Sequence, residues 1–488
     1  MADRKIIPTL SGNDAVNLYL QGQEAWNKWV EDNPEAYIDF SYVDFAKLRT
    51  TENPDIVFAN FNFPIGLISF FKANFGEGSV SFFQTNFAKG NVNFSEATFG
   101  EGYVDFSYSN FGDGYINFID TQFGEGVLSF YYANLGQGDV SFSQANIGNG
   151  HVLFHKASFG TGNVTFNDVN FGDMGVDFSE VSFGLGNISF AHANFGDGDV
   201  NFSNAIFGQG NIDFSHVKTV KGNIDFSKAI FGDGTIDFSW LTINGHFNFS
   251  QIIESELIQA ISFKHSNFSH DFDISHNKFT CVVDLTQTHI NNQVNIEGLI
   301  CTPKKIPKGF LFKQVEDKAD ISRLTRLKEI AKNNNDKKRT LDFQTKEMNA
   351  KRWHEVKIFR GLGIDYLFYW LSHYGRSITI PSFWLMLSWL GFGYYYFTKT
   401  YSTNITSTLV NKLSVVKATY LDLLPFSAAN MWPYLPSSIE ARENGLKLIL
   451  NGQIKIPPDI YTMMLIQGNL SFIFLFLIVL ALINRYKK

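Results

Sequence analysis

Four side chains of metal-binding type crowd one stretch of this 488-residue chain: His265, His270, His276 and Cys281. A structural zinc site needs four such ligands converging on one point. Each of these follows a large apolar residue by two positions: Phe263, Phe268, Ile274 and Phe279. That offset is an outward-facing corner position, so the four diverge and no metal is expected. Gly-x-Gly runs such as Gly112-Asp113-Gly114 and Gly196-Asp197-Gly198 resemble nucleotide- or calcium-binding loops in outline. A dinucleotide site needs a helix after the glycines, and here another short strand follows. A calcium β-roll needs Asp where Val or Ile stands. The chain has no P-loop, Gly-x-Ser-x-Gly, His-Glu-x-x-His or Cys-x-x-Cys motif, and its eleven His assemble no catalytic constellation. Neither enzymatic activity nor a cofactor is expected.

The residues that would position any such group belong to a strict repeat. A phenylalanine recurs every twelve residues from Phe58 through Phe70 and Phe82 to Phe238. Val or Ile commonly stands two positions earlier (Val80, Val92, Val104, Ile116), and a second apolar residue five positions later (Phe75, Phe87, Phe99, Leu135). Each half reads as a three-residue strand, in-out-in, with Asn, Asp or Ser outward. The glycines supply the tight corners. A fixed period of this length means one small unit stacked on itself. Twelve residues enclose too small a cross-section for two Phe, a Val and an Ala per unit, so a coil of twenty-four residues is expected. Residues 58–238 then make a rod of about 35–40 Å.

Ala73-Asn74-Phe75-Gly76-Glu77 and Val200-Asn201-Phe202-Ser203-Asn204 resemble the unit of the pentapeptide-repeat family. The run from Gln21 to Trp29 is similar to the cap that often precedes such repeats. The resemblance covers roughly residues 36–299 and implies a right-handed quadrilateral parallel β-helix. The departure is two extra residues in every second pentad, giving 5+7 and, near the end, 5+6 through Phe263, Phe268, Ile274, Phe279, Leu285, Ile290 and Ile296. The expected fold is a β-solenoid of 12-residue double-pentad repeats, followed by a helical hairpin and an α-helical two-span membrane domain. The expected domains are an N-terminal helical cap (1–35), the β-helix (36–303), a basic helical hairpin connector (304–360) and a transmembrane domain (361–488).

The formal net charge of −7 hides a division. Residues 1–303 hold 34 acidic and 13 basic side chains, whereas 304–360 hold 17 basic and 8 acidic. The rod should repel nucleic acid and anionic lipid, and the segment after it should attract both. Two cysteines and an N-terminus without an apolar core point to a cytoplasmic rod. Ile321, Leu324, Leu327, Ile330 and Ala331 have helical spacing; Asn333-Asn334-Asn335-Asp336 breaks it, and a second helix follows through Arg352. Ile378–Phe397 and Met463–Asn484 are each long enough to cross a bilayer. Basic residues before the first (Lys351, Arg352, Lys357, Arg360, Arg376) and after the second (Arg485, Lys487, Lys488) place both termini in the cytoplasm. Residues 358–373 read as an interfacial helix. Residues 399–462 read either as a re-entrant pore helix or as an external cap, with a helix ending at Leu423-Leu424-Pro425-Phe426.

Two spans enclose no water path, so a pore requires a homo-oligomer, with a tetramer expected. The architecture resembles bacterial pentapeptide-repeat membrane proteins and the channel effectors of Hailong-type anti-phage systems. In those systems a nucleotidyltransferase partner's oligonucleotide product controls the channel. That resemblance implies a location in the bacterial inner membrane, in contact with lipid. It also implies a nucleotide or single-stranded oligonucleotide held by Arg323, Arg326, Lys328, Lys332, Lys337, Lys338, Arg339, Lys351 and Arg352. A connector with a solvated charged face is the plainer reading of the same residues. The alternative function is a membrane-tethered scaffold for a protein partner, with no pore.

Overall fold

The computed structural model describes residues 7–308, 312–355, 360–407, 419–432, 435–450 and 455–486. Lys357, Lys487 and Lys488, on which the expected orientation partly rests, lie outside the described residues. The chain divides into two compact units, residues 1–350 and 351–488.

The first unit is a parallel β-solenoid of about twelve turns. Strand partners lie twenty-four residues apart, as in Ile116↔Val140 and Val104↔Leu128. One coil therefore takes two sequence repeats. Two sides of each coil are two-residue strands, which stack into two eleven-stranded sheets. The other two sides are mostly single-residue bridges, such as Asn86↔Asn110 and Thr98↔Gln122. Each coil thus has four sides, and the three-residue strands expected at every second pentad are mostly reduced to one paired residue. The short 3₁₀ turn Ser255–Leu257 lengthens one coil to Ile236↔Ile261. The later 5+6 spacing shortens the last coils to Phe272↔Val294.

Phenylalanine fills the interior because a ring can stack on its counterpart one coil away and meet its in-coil neighbour edge-on. Phe82 lies 4.8 Å from Phe106 at 3° and 5.4 Å from Phe94 at 84°. Both arrangements suit the ring quadrupole. Gly112 sits at φ +65°, and a Cβ there would lie 1.3 Å from the Ala88 carbonyl oxygen, so coil-to-coil approach dictates glycine. The opposite bend uses other residues. Tyr108, Asp120 and Tyr132, each two positions after a core Phe, are left-handed at φ 58°, 57° and 54°. Asx contacts such as Ser107 N–H to Asp105 Oδ1 (2.8 Å) hold these corners.

The N-terminal end is closed by helices α1 (Gly12–Tyr19) and α2 (Gln23–Asp32), preceded by a strand, Thr9–Ser11, that extends one sheet. Trp26 covers the open Phe column: it stacks 5.8 Å from Phe40 and donates its indole N–H to the Asn62 carbonyl at 2.8 Å. At the other end an antiparallel hairpin, Lys305–Lys308 with Phe312–Val315, comes after the last ladder strand. Helix α3 (Asp320–Asn333) then lays Ile321, Leu324, Leu327 and Ile330 into the solenoid core, and α4 (Lys337–His354) comes next. Most of the segment expected as a separate connector is thus part of the first unit.

The second unit holds α5 (Arg360–Ser372), α6 (Thr379–Ser407), α7 (Tyr420–Met431), α8 (Pro436–Leu450) and α9 (Pro458–Tyr486). The long helices α6 and α9 run antiparallel: Asn484 Nδ2 donates to the Gly375 carbonyl just before α6 (3.1 Å), and Lys399 pairs with Asp459 (2.6 Å) at the other end. Pro425 lies inside α7 rather than ending a helix, a correction to the sequence reading. The carbonyl it leaves without an amide belongs to Leu421, an exposed residue (70%), so the missing bond is not a buried one.

Candidate functional site

Of the nine cations expected to hold an anionic ligand, seven lie in the first unit, where several are engaged internally. Arg323 is taken by three carboxylates, Asp284 (3.0 Å), Asp317 (2.6 Å) and Asp320 (2.9 Å). Burial works against its charge, but these acids outweigh it and raise its pKa. Arg326 donates to the Thr288 carbonyl at 2.9 Å, and Asn334 Nδ2 donates to the Val294 carbonyl at 2.5 Å. These bonds fasten α3 to the final coils. Lys328 pairs with the buried Glu347 (2.5 Å) and ties α3 to α4, while Arg339 pairs with Asp336. Lys332, Lys337 and Lys338 are exposed around the α3–α4 turn, Lys337 with a partner of its own.

Lys351 and Arg352 fall in the second unit. Arg352 is buried (6% exposed), with its guanidinium 4.0 Å from the Tyr366 ring centroid. It donates to Asp365 Oδ2 (2.5 Å) and to the Tyr374 hydroxyl (2.5 Å). Burial raises the Tyr374 phenol, and the Asp365 carboxylate adds to the rise. Arg352 is thus engaged inside the second unit and is not a free ligand group.

Cys281 also differs from expectation. It packs against the core instead of facing outward, and Cys301 is fully buried. Burial pushes the Cys281 thiol up to about 11 and Cys301 up to about 12. His265 and His276 do occupy left-handed corners, at φ 63° and 57°. Among the described residues, no group of three or more His, Cys, Asp or Glu is placed to hold a metal.

A polar network that the sequence reading did not assemble lies where α7 meets α6 and α9. Trp389 Nε1 donates to the Leu424 carbonyl (2.9 Å), and Ser427 Oγ donates to the Trp389 carbonyl (2.8 Å). Gln467 Nε2 donates to the Ser427 carbonyl (3.0 Å) and hydroxyl (2.8 Å), and Gln467 Oε1 accepts from the Tyr396 hydroxyl (3.1 Å). Tyr420 adds a bond from its hydroxyl to the Leu390 carbonyl (3.0 Å). Gln467, Tyr396 and Ser427 are solvent-inaccessible. The available sequence clue was the presence of Gln467, Asn469 and Ser471 inside an otherwise apolar run; of the three, Gln467 joins the network, Ser471 is buried and Asn469 is exposed.

One helix among the described residues is long and apolar enough to cross a membrane, Pro458–Arg485, with mean hydropathy 2.4 over its best window. Only 28% of that window is buried, whereas the core helix of a soluble protein is mostly buried. The first expected span, Ile378–Phe397, lies almost wholly within α6 but does not reach that standard. Its Trp384, Trp389 and Tyr394–Tyr396 carry polar tips that lower its hydropathy. The two-span membrane domain therefore reduces to one candidate span beside a second long aromatic helix.

Fold and site together define a parallel β-solenoid, consistent with pentapeptide-repeat helices, followed by C-terminal helices. Comparison with protein-family models, curated proteins and solved structures finds no match for the chain.

Proposed function

We propose that this chain is one subunit of an oligomeric channel in the bacterial inner membrane. In this reading α6 and α9 cross the bilayer, α7 and α8 form a re-entrant element, and the solenoid lies in the cytoplasm. The observation that carries it is the seat of α7. A twelve-residue helix is bonded through Ser427, Leu424 and Tyr420 to the middle of the Ile378–Phe397 segment and to Gln467 of α9. Backbone that enters a bilayer part-way must be held by protein partners of this kind, and an external cap would bond at the helix ends instead.

The gating ligand is an anionic nucleotide or oligonucleotide, as the resemblance to Hailong-type effectors implies, with a nucleotidyltransferase as its source. Its phosphates would meet Lys332, Lys337 and Lys338, the exposed cations of the α3–α4 turn. Several copies around one axis, with four expected, would multiply these few charges. The test is oligomeric state in detergent followed by ion flux in liposomes, with and without added oligonucleotides. A monomer that passes no ions under any condition overturns the proposal.

The second reading, a membrane-tethered scaffold without a pore, draws support from the internal engagement of Arg323, Arg326, Lys328, Arg339 and Arg352. It predicts a monomer or dimer, no conductance, and a biological effect that survives deletion of residues 378–488.

A further inference from the structure

A groove of about 480 Å³ opens between the C-terminal end of α7, helix α8 and one face of α9. Along α9 it is lined from Tyr461 to Leu475 at three- and four-residue steps, a path of about 20 Å. Its walls are mainly apolar, and two of them, Leu465 and Phe472, are 52% and 71% exposed. Groove and outer face of α9 are therefore continuous.

Three polar side chains interrupt this lining, the exposed Asn469 and two others, Asn430 and Arg442. Asn430 is 3% exposed, and among the described residues neither its Oδ1 nor its Nδ2 makes a hydrogen bond of full geometry. The Tyr396 hydroxyl donates to Gln467 and leaves its oxygen facing the Asn430 amide as a weak acceptor. Arg442 lines the same groove and forms no ion pair among the described residues. A buried amide without a full bond at either end is costly unless something supplies an acceptor and a donor together. An unpaired guanidinium beside apolar surface calls for an anion.

We infer that the groove seats an anionic glycerophospholipid whose headgroup bears a hydroxyl, of the phosphatidylglycerol type. An acyl chain runs along Leu465, Phe472 and Leu475; the phosphate meets Arg442. Asn430 Nδ2 donates to an ester carbonyl, and Asn430 Oδ1 accepts from a headgroup hydroxyl. A compact solute would leave the long apolar walls bare. The apolar outer face of a second α9 would offer Asn430 neither group. The inference rests on the reading of α9 as a helix within a bilayer.

The test uses the full chain, purified from membranes in mild detergent, with bound lipid measured by mass spectrometry. It is then delipidated and returned to vesicles of phosphatidylcholine with or without phosphatidylglycerol. The wild type should retain phosphatidylglycerol selectively and melt higher in vesicles that contain it. Arg442→Gln and Asn430→Leu should each lower retention about tenfold and abolish the thermal shift. Glycerol 3-phosphate alone should give no shift; if it reproduces the effect, the site takes a soluble solute and the inference falls. It also falls if Asn430→Leu stabilises the protein equally in both vesicles with retention unchanged, since Asn430 is then simply unpaired. Oligomers that dissociate in either variant while lipid stays bound would mean that a second copy fills the groove. A chain that does not enter vesicles at all overturns the membrane reading itself, which separates that failure from the others.

Discussion

Gln467 of α9 and Ser427 of α7 are joined twice, the Gln467 amide donating to both the carbonyl and the hydroxyl of Ser427, out of reach of solvent. The same glutamine accepts from Tyr396 of α6, so one side chain holds three helices.

Gln467→Leu should therefore leave the Tyr396 hydroxyl and the Ser427 carbonyl without their partner. The expected loss is about 1–3 kcal/mol per group stranded, read as a lower melting temperature in detergent. Loss of the polar clasp should also loosen α7, which limited proteolysis of the second unit would detect.

Arg323 offers a test of the solenoid's lower closure. Arg323→Met strands Asp284 and Asp320, whose side chains are 12% and 7% exposed, and should cost about 3 kcal/mol. Burial raises the Asp320 carboxyl, the effect that dominates once the arginine is gone. A raised pKa makes a stabilising contribution that is present below the unfolded value and lost as pH rises. The variant's deficit should thus be smaller at about pH 4 than at about pH 7, as denaturant titrations at the two pH values would show.

Glycines in the repeat are not equivalent. Gly112→Ala brings a Cβ against the Ala88 carbonyl at a left-handed residue, whereas a Cβ at Gly175 would find its nearest neighbour at 3.5 Å. The first should cost about 4 kcal/mol or more and the second less than about 1 kcal/mol, measured by chemical denaturation of the isolated variants.

The two thiols, Cys281 half-buried and Cys301 buried, set an alkaline limit. Their pKa values rise from 9.0 to about 11 and about 12 in the folded chain. Their contribution is complete below about pH 9 and is lost as pH climbs through the folded values. Stability should fall from about pH 9 upward, and a Cys281→Ala, Cys301→Ala double variant should show a shallower fall. Iodoacetamide should leave both thiols unmodified at about pH 8 until denaturant is added, because the thiolate is the nucleophile.

Should the α3–α4 turn take an oligonucleotide, Lys332→Glu with Lys338→Glu should weaken binding across sequences. It should also flatten the dependence of log affinity on log salt by about 1–2. Fluorescence anisotropy over a salt series reads both quantities.

The repeat was legible because its cost of error is high. Phe82, Phe94 and Phe106 must point inward at a fixed interval, or a large apolar ring meets water. The α3–α4 break at Asn333–Asp336 was readable for a similar reason, since the apolar spacing stops there. Residues whose role depends on distant partners were not readable. Arg323 looks like any surface cation until Asp284, thirty-nine positions away, is brought beside it. The left-handed corners at Tyr108 and Asp120 carry no glycine to mark them. The hairpin at Lys305–Lys308 was hidden by its lysines and Pro307, which give no alternating apolar face. Pro425 read as a stop because the exposure of Leu421 becomes known only after folding.

The twenty-four-residue coil has a consequence for how such a chain can change length. Its two halves are nearly alike in sequence, but they belong to opposite sheets. Removing one twelve-residue unit would keep every Phe in the interior, and a coil could still close. Everything beyond the cut would nevertheless arrive half a turn round the axis, on the other sheet. The solenoid behaves like a screw thread with two starts: whole coils can be added or lost without re-aiming the elements beyond them, and single repeats cannot. Helix α3 and the lysine turn keep their bearing only while the number of repeats changes by two.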